Sequence, residues 1–214
     1  MQIINSSTFQ LWERFYRANF INSLTGFKSV CLIGTVNQDG NPNLAIFSSI
    51  VHIGSNPALV GFINRPVEAA PHTLSNIQNT GSYTINHVHA SFLEKAHQTS
   101  AKYPEGISEF DETDLTPVFQ ESIKAPFVKE SSVKYALKLS EIIPIKLNNT
   151  FLVIGEVIHV MLADDIILSD GFLTLDKSGS VSSNGIDGYY STQLIGRFEY
   201  AKPNVKLEKL NNTD

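Results

Sequence analysis

Cysteine is nearly absent from this sequence, which has only Cys31 among 214 residues. A single cysteine excludes an intramolecular disulfide and therefore a disulfide-stabilised scaffold. Cys31 lies within the apolar run SVCLIG, and no activating partner can be placed beside it. We therefore expect an inert core thiol rather than a catalytic one.

Long apolar runs and basic runs are also missing. No segment approaches the roughly 18 apolar residues of a membrane span, and no basic stretch followed by an apolar one marks a secretion signal at the N-terminus. We therefore expect a soluble, cytoplasmic protein with no membrane association. The net charge of −5 argues against nucleic-acid binding.

Several familiar catalytic motifs are missing as well. The sequence has no G-x-x-x-x-G-K, no strand-linked G-x-G-x-x-G and no G-x-S-x-G, which disfavours a P-loop, a Rossmann site and a nucleophile elbow. His87 and His89 stand two apart on a predicted strand and could form half of a metal site. No third ligand follows at a recognised spacing, so a structural or surface role is favoured and no metal is predicted.

What remains is dominated by β-structure. Apolar, β-branched runs alternate with turn signals such as Asn37–Pro42, and helical patterns appear at 72–79 and 91–101, the second with Ser91 as a predicted N-cap. The predicted strands cover residues 28–36, 43–53, 58–64, 82–88, 132–147 and 151–162. The near-continuous apolar character of the early strands predicts cover on both faces. No repeat or linker divides residues 1–214, which favours a single, mainly β domain: an antiparallel barrel with a few peripheral helices.

Two segments depart from the β pattern. Residues 8–24 place aromatic side chains three and four apart, which predicts an amphipathic helix with Thr8 as its N-cap. Its aromatic face is expected to pack on its own domain or on a second subunit, although a separate partner is an alternative. Residues 102–130 are acidic, rich in turns and weakly periodic, which predicts a loop-rich excursion of the kind that forms lids.

The stretch from Asn43 to Thr73 contains the groups that hold a phosphate. Ser48 and Ser49 come late in one apolar run, Arg65 ends the next, and Thr73 stands in the first turn of a predicted helix. Hydroxyls, a guanidinium and a helix N-terminus together favour an anion site. Adjacent apolar strands suggest a ligand with a charged tail and a flat apolar head.

Each of these residues has a plainer interpretation. One of the two serines could be an ordinary strand-face hydroxyl, since consecutive residues on a flat strand face opposite sides. Both can reach one ligand only if the strand ends or bulges there. Arg65 could form a surface ion pair, and Thr73 could merely cap a helix. His72 and His97 could face a phosphate, ring or substrate, or be polar residues on helix faces.

Taken together, these segments resemble the flavin reductase-like family of FMN-binding split barrels. The resemblance is carried by LTGFKSVCLIGTVNQDGNPNLAIFSS, HIGSNPALVGFINRP, HTLSNIQNTGSYTIN, AHQTSAKYPEGISEF, FLVIGEV and DGYY, which lie between Leu24 and Tyr190. The residues that match the family pattern are Asn43, Leu44, Ala45, Ser48, Ser49, Arg65, His72, Thr73, Asn76 and Ile77.

The resemblance implies a six-stranded Greek-key split barrel that forms a homodimer, with FMN in a groove at the subunit interface. It implies that Ser48, Ser49, Arg65 and Thr73 hold the phosphate. Asn43, Leu44 and Ala45 would lie along the flavin ring, and the segment 96–110, with His97, would lie near its open face. His72 and Asn76 complete the implied cofactor-binding set.

The function implied is hydride transfer from NADH or NADPH to the flavin, for which no acid or base residue is assigned because the cofactor supplies the chemistry. Two alternatives remain open at this point. The protein could be a non-enzymatic FMN electron carrier that takes electrons from a redox partner protein. It could also be a binding module for another anionic aromatic ligand.

Overall fold

The computed structural model describes residues 1–67, 71–104 and 106–210. Within them lie twelve strands, five α-helices and a 3₁₀ turn at Ala90–Phe92. The strands are β1 (Lys28–Ser29), β2 (Cys31–Val36), β3 (Pro42–Phe47), β4 (Ile50–Ser55), β5 (Ala58–Asn64), β6 (Ser82–His87), β7 (Pro117–Gln120), β8 (Ile123–Val128), β9 (Val133–Ile145), β10 (Thr150–Leu162), β11 (Val181–Asn184) and β12 (Gly188–Ser191). The helices are α1 (Ser6–Gln10), α2 (Arg14–Leu24), α3 (Pro71–Thr80), α4 (Leu93–Gln98) and α5 (Glu109–Thr113).

A seven-stranded antiparallel sheet dominates the structure, in the order β3-β2-β6-β9-β10-β5-β4. Its two edge strands, β3 and β4, are consecutive in the chain and are separated only by Ser48 and Ser49. The sheet must therefore curl until its edges meet at this dipeptide, which makes a barrel that is split there. If the run 43–53 is counted as one bent strand, the sheet has the six strands that the family resemblance implied.

Apolar side chains pack on both sides of β2. One cluster lies among the sheet strands and includes Ile33, Phe62 and Ile85. A second cluster, with Leu32 and Phe110, joins the sheet to α4, α5 and β11. Every residue of β2 is buried, which confirms the predicted cover on both faces for this strand. The same prediction is wrong for β4, where most residues are exposed.

Cys31 belongs to the first of these clusters and is 1% exposed. Burial raises the pKa of its thiol to about 12, against a smaller opposing effect of a hydrogen bond with Ser29. The predicted inert core cysteine is thereby confirmed.

The predicted N-terminal helix is divided into two. α1 and α2 are separated at Leu11–Glu13, where the Glu13 side chain accepts from the N–H groups of Phe15 and Tyr16 and so caps α2. Thr8 lies inside α1 and is not its N-cap. The aromatic face persists across the break, because the Trp12 ring packs edge-on against Tyr16 and Phe20.

The segment 102–130 is more regular than predicted. It contains α5 and the β7–β8 hairpin, whose strand β8 is almost entirely buried. The predicted N-cap at Ser91 is also wrong, because the His89 ring accepts from the Ser91 N–H. Among the described residues, no helix is both long and apolar enough to cross a membrane.

Candidate functional site

A cleft of about 760 Å³ opens beside the split in the barrel. Its walls come from β3, β5, the start of α3, the segment after α4 and the β11–β12 hairpin. The apolar surface is supplied by Ala45, Ile46, Phe47 and Ile63, and polar groups surround it. Such a mixture of apolar walls and a few convergent polar groups is typical of a small-molecule site.

The strand breaks at Ser48 and Ser49, which is the condition for both to reach one ligand, and both line the cleft. The Ser49 hydroxyl donates to the carbonyl oxygen of Ile63 at 3.0 Å and accepts from its N–H at 3.2 Å. Ser49 thus completes the pairing of β5 where β4 has not yet begun. Within the described residues the Ser48 hydroxyl has no such partner, so it is the more available of the two.

Arg65 and the start of α3 line the same cleft. Arg65 is exposed and forms no ion pair with any described residue, while the Asn64 side chain donates to its carbonyl oxygen at 2.8 Å. Pro71, His72 and Thr73, in the first turn of α3, line the same cleft. The guanidinium and the helix start are therefore available to one anion.

A polar network holds Asn43 in place. Its side-chain amide donates to the Thr35 hydroxyl at 3.3 Å and to the Thr73 hydroxyl at 3.5 Å. The Asn76 amide donates to the same Thr35 oxygen at 3.0 Å. These bonds tie β2, β3 and α3 together, so Asn76, which is 6% exposed, positions the site from beneath.

The free edge of β3 faces the cleft. The Leu44 N–H donates to the Glu109 carboxylate at 2.9 Å rather than to β2. Along an antiparallel pair, successive residues alternate between hydrogen-bonding the neighbouring strand and pointing away from it. Ala45, which is paired with Ile33, therefore hydrogen-bonds β2. The N–H of the next residue, Ile46, points to the free edge. Because Ile46 lines the cleft, its amide is a donor available to a ligand lying along this edge.

Glu109 is a site residue that the sequence did not reveal. It is 7% exposed, stands at the start of α5 after the N-cap Ser108, and lines the cleft. Burial raises the pKa of its carboxyl, and the hydrogen bond from Leu44 partly opposes this shift. Its bond to β3 fastens the segment that follows α4 onto the barrel.

His97 contacts Tyr189 on β12, which is a second site residue that the sequence did not reveal. The His97 Nδ1 and Tyr189 Oη atoms are 2.6 Å apart, and the rings meet edge-on. Partial burial, and then the nearby charge of Asp187, raise the pKa of Tyr189. α4 and the β11–β12 hairpin are thereby joined across the cleft.

The two histidines considered as half of a metal site have separate structural roles. His87 Nδ1 lies 3.2 Å from the Ser180 hydroxyl, and burial lowers the pKa of His87 to about 4. His89 caps the 3₁₀ turn. Among residues 1–67, 71–104 and 106–210, no group of three His, Cys, Asp or Glu residues is placed to hold a metal.

Comparison with known proteins identifies the family. The model for "Flavin reductase like domain" matches residues 26–175, well over half of the sequence. The chain belongs to the flavin reductase-like family.

Solved structures agree with this assignment. A split barrel domain protein of Shewanella frigidimarina NCIMB 400, whose proposed activity is flavin reductase, is 46% identical and superposes with a TM-score of 0.91 over 94% of this chain and 100% of that one. Nitrilotriacetate monooxygenase component B of Bacillus cereus (21% identity, TM-score 0.80, 94% of this chain and 98% of that one) shares the fold. So does flavoredoxin of Desulfovibrio vulgaris (Miyazaki F), with 24% identity and a TM-score of 0.69 over 84% of this chain and 92% of that one. The predicted mainly β split barrel is thereby confirmed.

In this flavin reductase-like chain, most of the predicted site residues lie together. Those that line the cleft are Asn43, Ala45, Ser48, Ser49, Arg65, His72, Thr73 and His97. Leu44 and Asn76 do not: the Leu44 side chain is fully buried in the core, and Asn76 faces a polar side groove next to the cleft.

Other residues of this family member also line the cleft but were not predicted. They include Ile46, Ile63, Glu109, Ser183, Asp187 and Tyr189. Tyr189 stands in the DGYY segment that carried part of the resemblance, which was its only signal in the sequence.

Proposed function

We propose that this flavin reductase-like protein binds FMN in the cleft and transfers a hydride to it from a reduced nicotinamide dinucleotide. The observation that carries the proposal is the combination of two features in one cleft. Arg65, Ser48 and the start of α3 offer an anion site, and the free Ile46 amide lies on an apolar wall. A phosphate tail and a flat ring with acceptor atoms on its edge match these two features.

The residues have distinct roles in this proposal. Arg65 supplies a charge-assisted bond to the phosphate, Ser48 and the first turn of α3 add neutral donors, and the Ile46 N–H donates to the ring edge. When bound, the flavin supplies the redox chemistry. The protein orients it and excludes water with Phe47 and Ile63.

We also propose that the protein is a homodimer with the cofactor at the subunit interface. β4 begins immediately after Ser48 and Ser49, and its residues Val51 and Ile53 are 45% and 41% exposed. A second copy seated on this apolar face would adjoin the cleft. We further propose a cytoplasmic location, where reduced nicotinamide dinucleotides are available, and no nucleic-acid or membrane partner.

An anaerobic titration tests the function. The purified protein is mixed with FMN, the free flavin is removed, and NADH or NADPH is added while the visible flavin band is followed. Rapid bleaching with either donor is expected. A protein that retains FMN but is bleached by neither donor would instead be an electron carrier for a redox partner protein. A protein that does not bind FMN at all would favour a different anionic aromatic ligand.

A further inference from the structure

Ser183 on β11 has a buried hydroxyl that nothing in the described part of the chain satisfies. The residue is 3% exposed, and its Oγ lacks a hydrogen-bond partner. Ser183 nevertheless lines the cleft. Because buried hydroxyls are nearly always paired, an unpaired one at a cleft wall indicates a place for a polar ligand group.

The hairpin geometry adds two more groups at the same place. Ser183 lies directly opposite Tyr189 in the β11–β12 pair, so the two side chains share one face of the hairpin. Asp187, in the turn between these strands, also lines the cleft. A hydroxyl, a carboxylate and a phenol are a set that exchanges hydrogen bonds with the hydroxyls of a sugar.

The charge of this corner separates it from the anion site. Arg65 and the start of α3 suit a phosphate, whereas the Asp187 carboxylate accepts hydroxyl protons and repels a phosphate. Two lysines are the nearby cations in the described part of the chain. The ammonium group of Lys28 is engaged by the protein itself, since it donates to the carbonyl oxygens of Asn22 at 3.2 Å and Gly185 at 3.5 Å. Lys102 lines the cleft from the segment after α4, where it suits the diphosphate of a dinucleotide.

We propose that Ser183, Asp187 and Tyr189 form a subsite, the hairpin subsite, that binds the adenosine ribose diol of NADH and disfavours NADPH. This proposal rests on the proposed function, since it concerns the electron donor for the same cleft. A carboxylate that accepts from a ribose 2′-hydroxyl is a known way to select NAD over NADP. NADPH would place its 2′-phosphate against Asp187.

Stopped-flow reduction of the FMN-loaded protein by NADH and by NADPH tests the subsite in the wild type, Asp187→Asn, Ser183→Ala and a control, Asp164→Asn. Asp164 is an exposed aspartate outside the cleft. Calorimetric binding of ADP-ribose and of its 2′-phosphate provides a second readout that does not depend on flavin reduction. FMN affinity is measured for every variant.

The wild type should prefer NADH at least tenfold in kcat/KM and bind ADP-ribose more tightly than its 2′-phosphate. Asp187→Asn should reduce both preferences several-fold, and Ser183→Ala should raise the KM for NADH. The control Asp164→Asn should change neither the preferences nor the KM. Equal use of both donors by the wild type, or an unchanged preference in Asp187→Asn, would overturn the subsite. Weaker FMN binding in Ser183→Ala with an unchanged KM for NADH would overturn it too, because Ser183 would then bind the ribityl hydroxyls of FMN rather than the ribose diol of NADH. Reduction by neither donor would overturn the proposed function together with the subsite.

Discussion

Two adjacent serines at the split in the barrel have different roles. Ser49 uses its hydroxyl to satisfy both backbone groups of Ile63, while Ser48 keeps its hydroxyl available to the cleft. The sequence identified both residues from their type and their place at the end of an apolar run. It did not distinguish them, because the distinction depends on the strand that each one faces after the break.

Removing each hydroxyl separately tests this division. Ser49→Ala leaves the Ile63 N–H and carbonyl without their partner, so the free energy of unfolding should fall by about 1–2 kcal/mol. Ser48→Ala should change it by less than about 0.5 kcal/mol but weaken FMN binding. Urea unfolding and FMN titration of both variants provide the two measurements. The reverse pattern, with the stability loss in Ser48→Ala, would contradict the assignment.

Arg65 is the only arginine that lines the cleft among the residues the structure describes. Arg65→Ala should weaken FMN binding by about 1.5–3 kcal/mol, the usual range for a lost charge-assisted bond, or roughly ten- to hundredfold in Kd. Riboflavin, which lacks the phosphate, should bind the variant and the wild type equally. Arg14→Ala, which removes an exposed arginine of α2, is the matched control. An unchanged Kd for FMN would refute the phosphate assignment.

At the scale of elements, the β7–β8 hairpin shows how the barrel accommodates a close backbone approach. A Cβ at Gly34 of β2 would overlap the carbonyl oxygen of Pro126 in β8. The same carbonyl accepts a hydrogen bond from Thr84 of β6 at 2.5 Å. β8 therefore packs directly on β2 and β6, and glycine at position 34 permits it.

Gly34→Ala should destabilise the protein by about 1–3 kcal/mol, because the added methyl group meets backbone rather than a movable side chain. Gly54→Ala is the control, since its Cβ would lie 3.3 Å from the nearest atom, the Pro57 carbonyl oxygen, and should cost less. Thermal unfolding followed by circular dichroism compares the two variants. Equal losses would show that the approach of β8 to β2 is not what selects glycine.

Local patterns explain which elements could be predicted. β2, β9 and β10 are rich in apolar and β-branched residues, and the turn segments Asn37–Pro42 and Asn148–Asn149 stand beside them, so these strands follow from the sequence. The β7–β8 hairpin does not, because Pro117 and Pro126 interrupt its pattern and its burial depends on strands far away in the chain. Glu109 and Tyr189 were missed for the same reason: each reaches the site through a contact with a distant strand or helix.

At the scale of the whole molecule, partly buried His87 makes stability depend on pH. Burial lowers its pKa from 6.5 to about 4, so the ring is neutral in the folded protein while the unfolded chain takes up a proton below pH 6.5. The contribution of His87 to the free energy of unfolding is fully present above pH 6.5. It is lost as the pH falls to about 4, which lowers the free energy of unfolding by up to about 3 kcal/mol. Glu109, whose pKa is raised, contributes in the opposite direction.

Urea unfolding between about pH 7 and about pH 4.5 measures this loss. The wild type should lose stability over this range, and His87→Gln, which retains a polar partner for Ser180, should lose distinctly less. His159→Gln removes an exposed histidine and should behave like the wild type. If His87→Gln and the wild type lose stability in parallel, another group is responsible for the acid sensitivity.

The proposed dimer makes the cofactor site a property of two chains. If a second copy covers Val51 and Ile53 on β4, replacing both with glutamate would bury two charges at the interface, which is costly without partners. The double variant should sediment as a monomer. Because β4 starts beside Ser49, the double variant should also bind FMN at least tenfold more weakly than the wild type.

Ile167→Glu is the control, since Ile167 is 59% exposed and lies away from β4 in the chain and outside the cleft. It should remain dimeric and retain FMN. A double variant that sediments like the wild type would refute the interface on β4. A monomeric double variant with unchanged FMN affinity would separate the two parts of the proposal, since the cleft of one chain would then be sufficient for the cofactor.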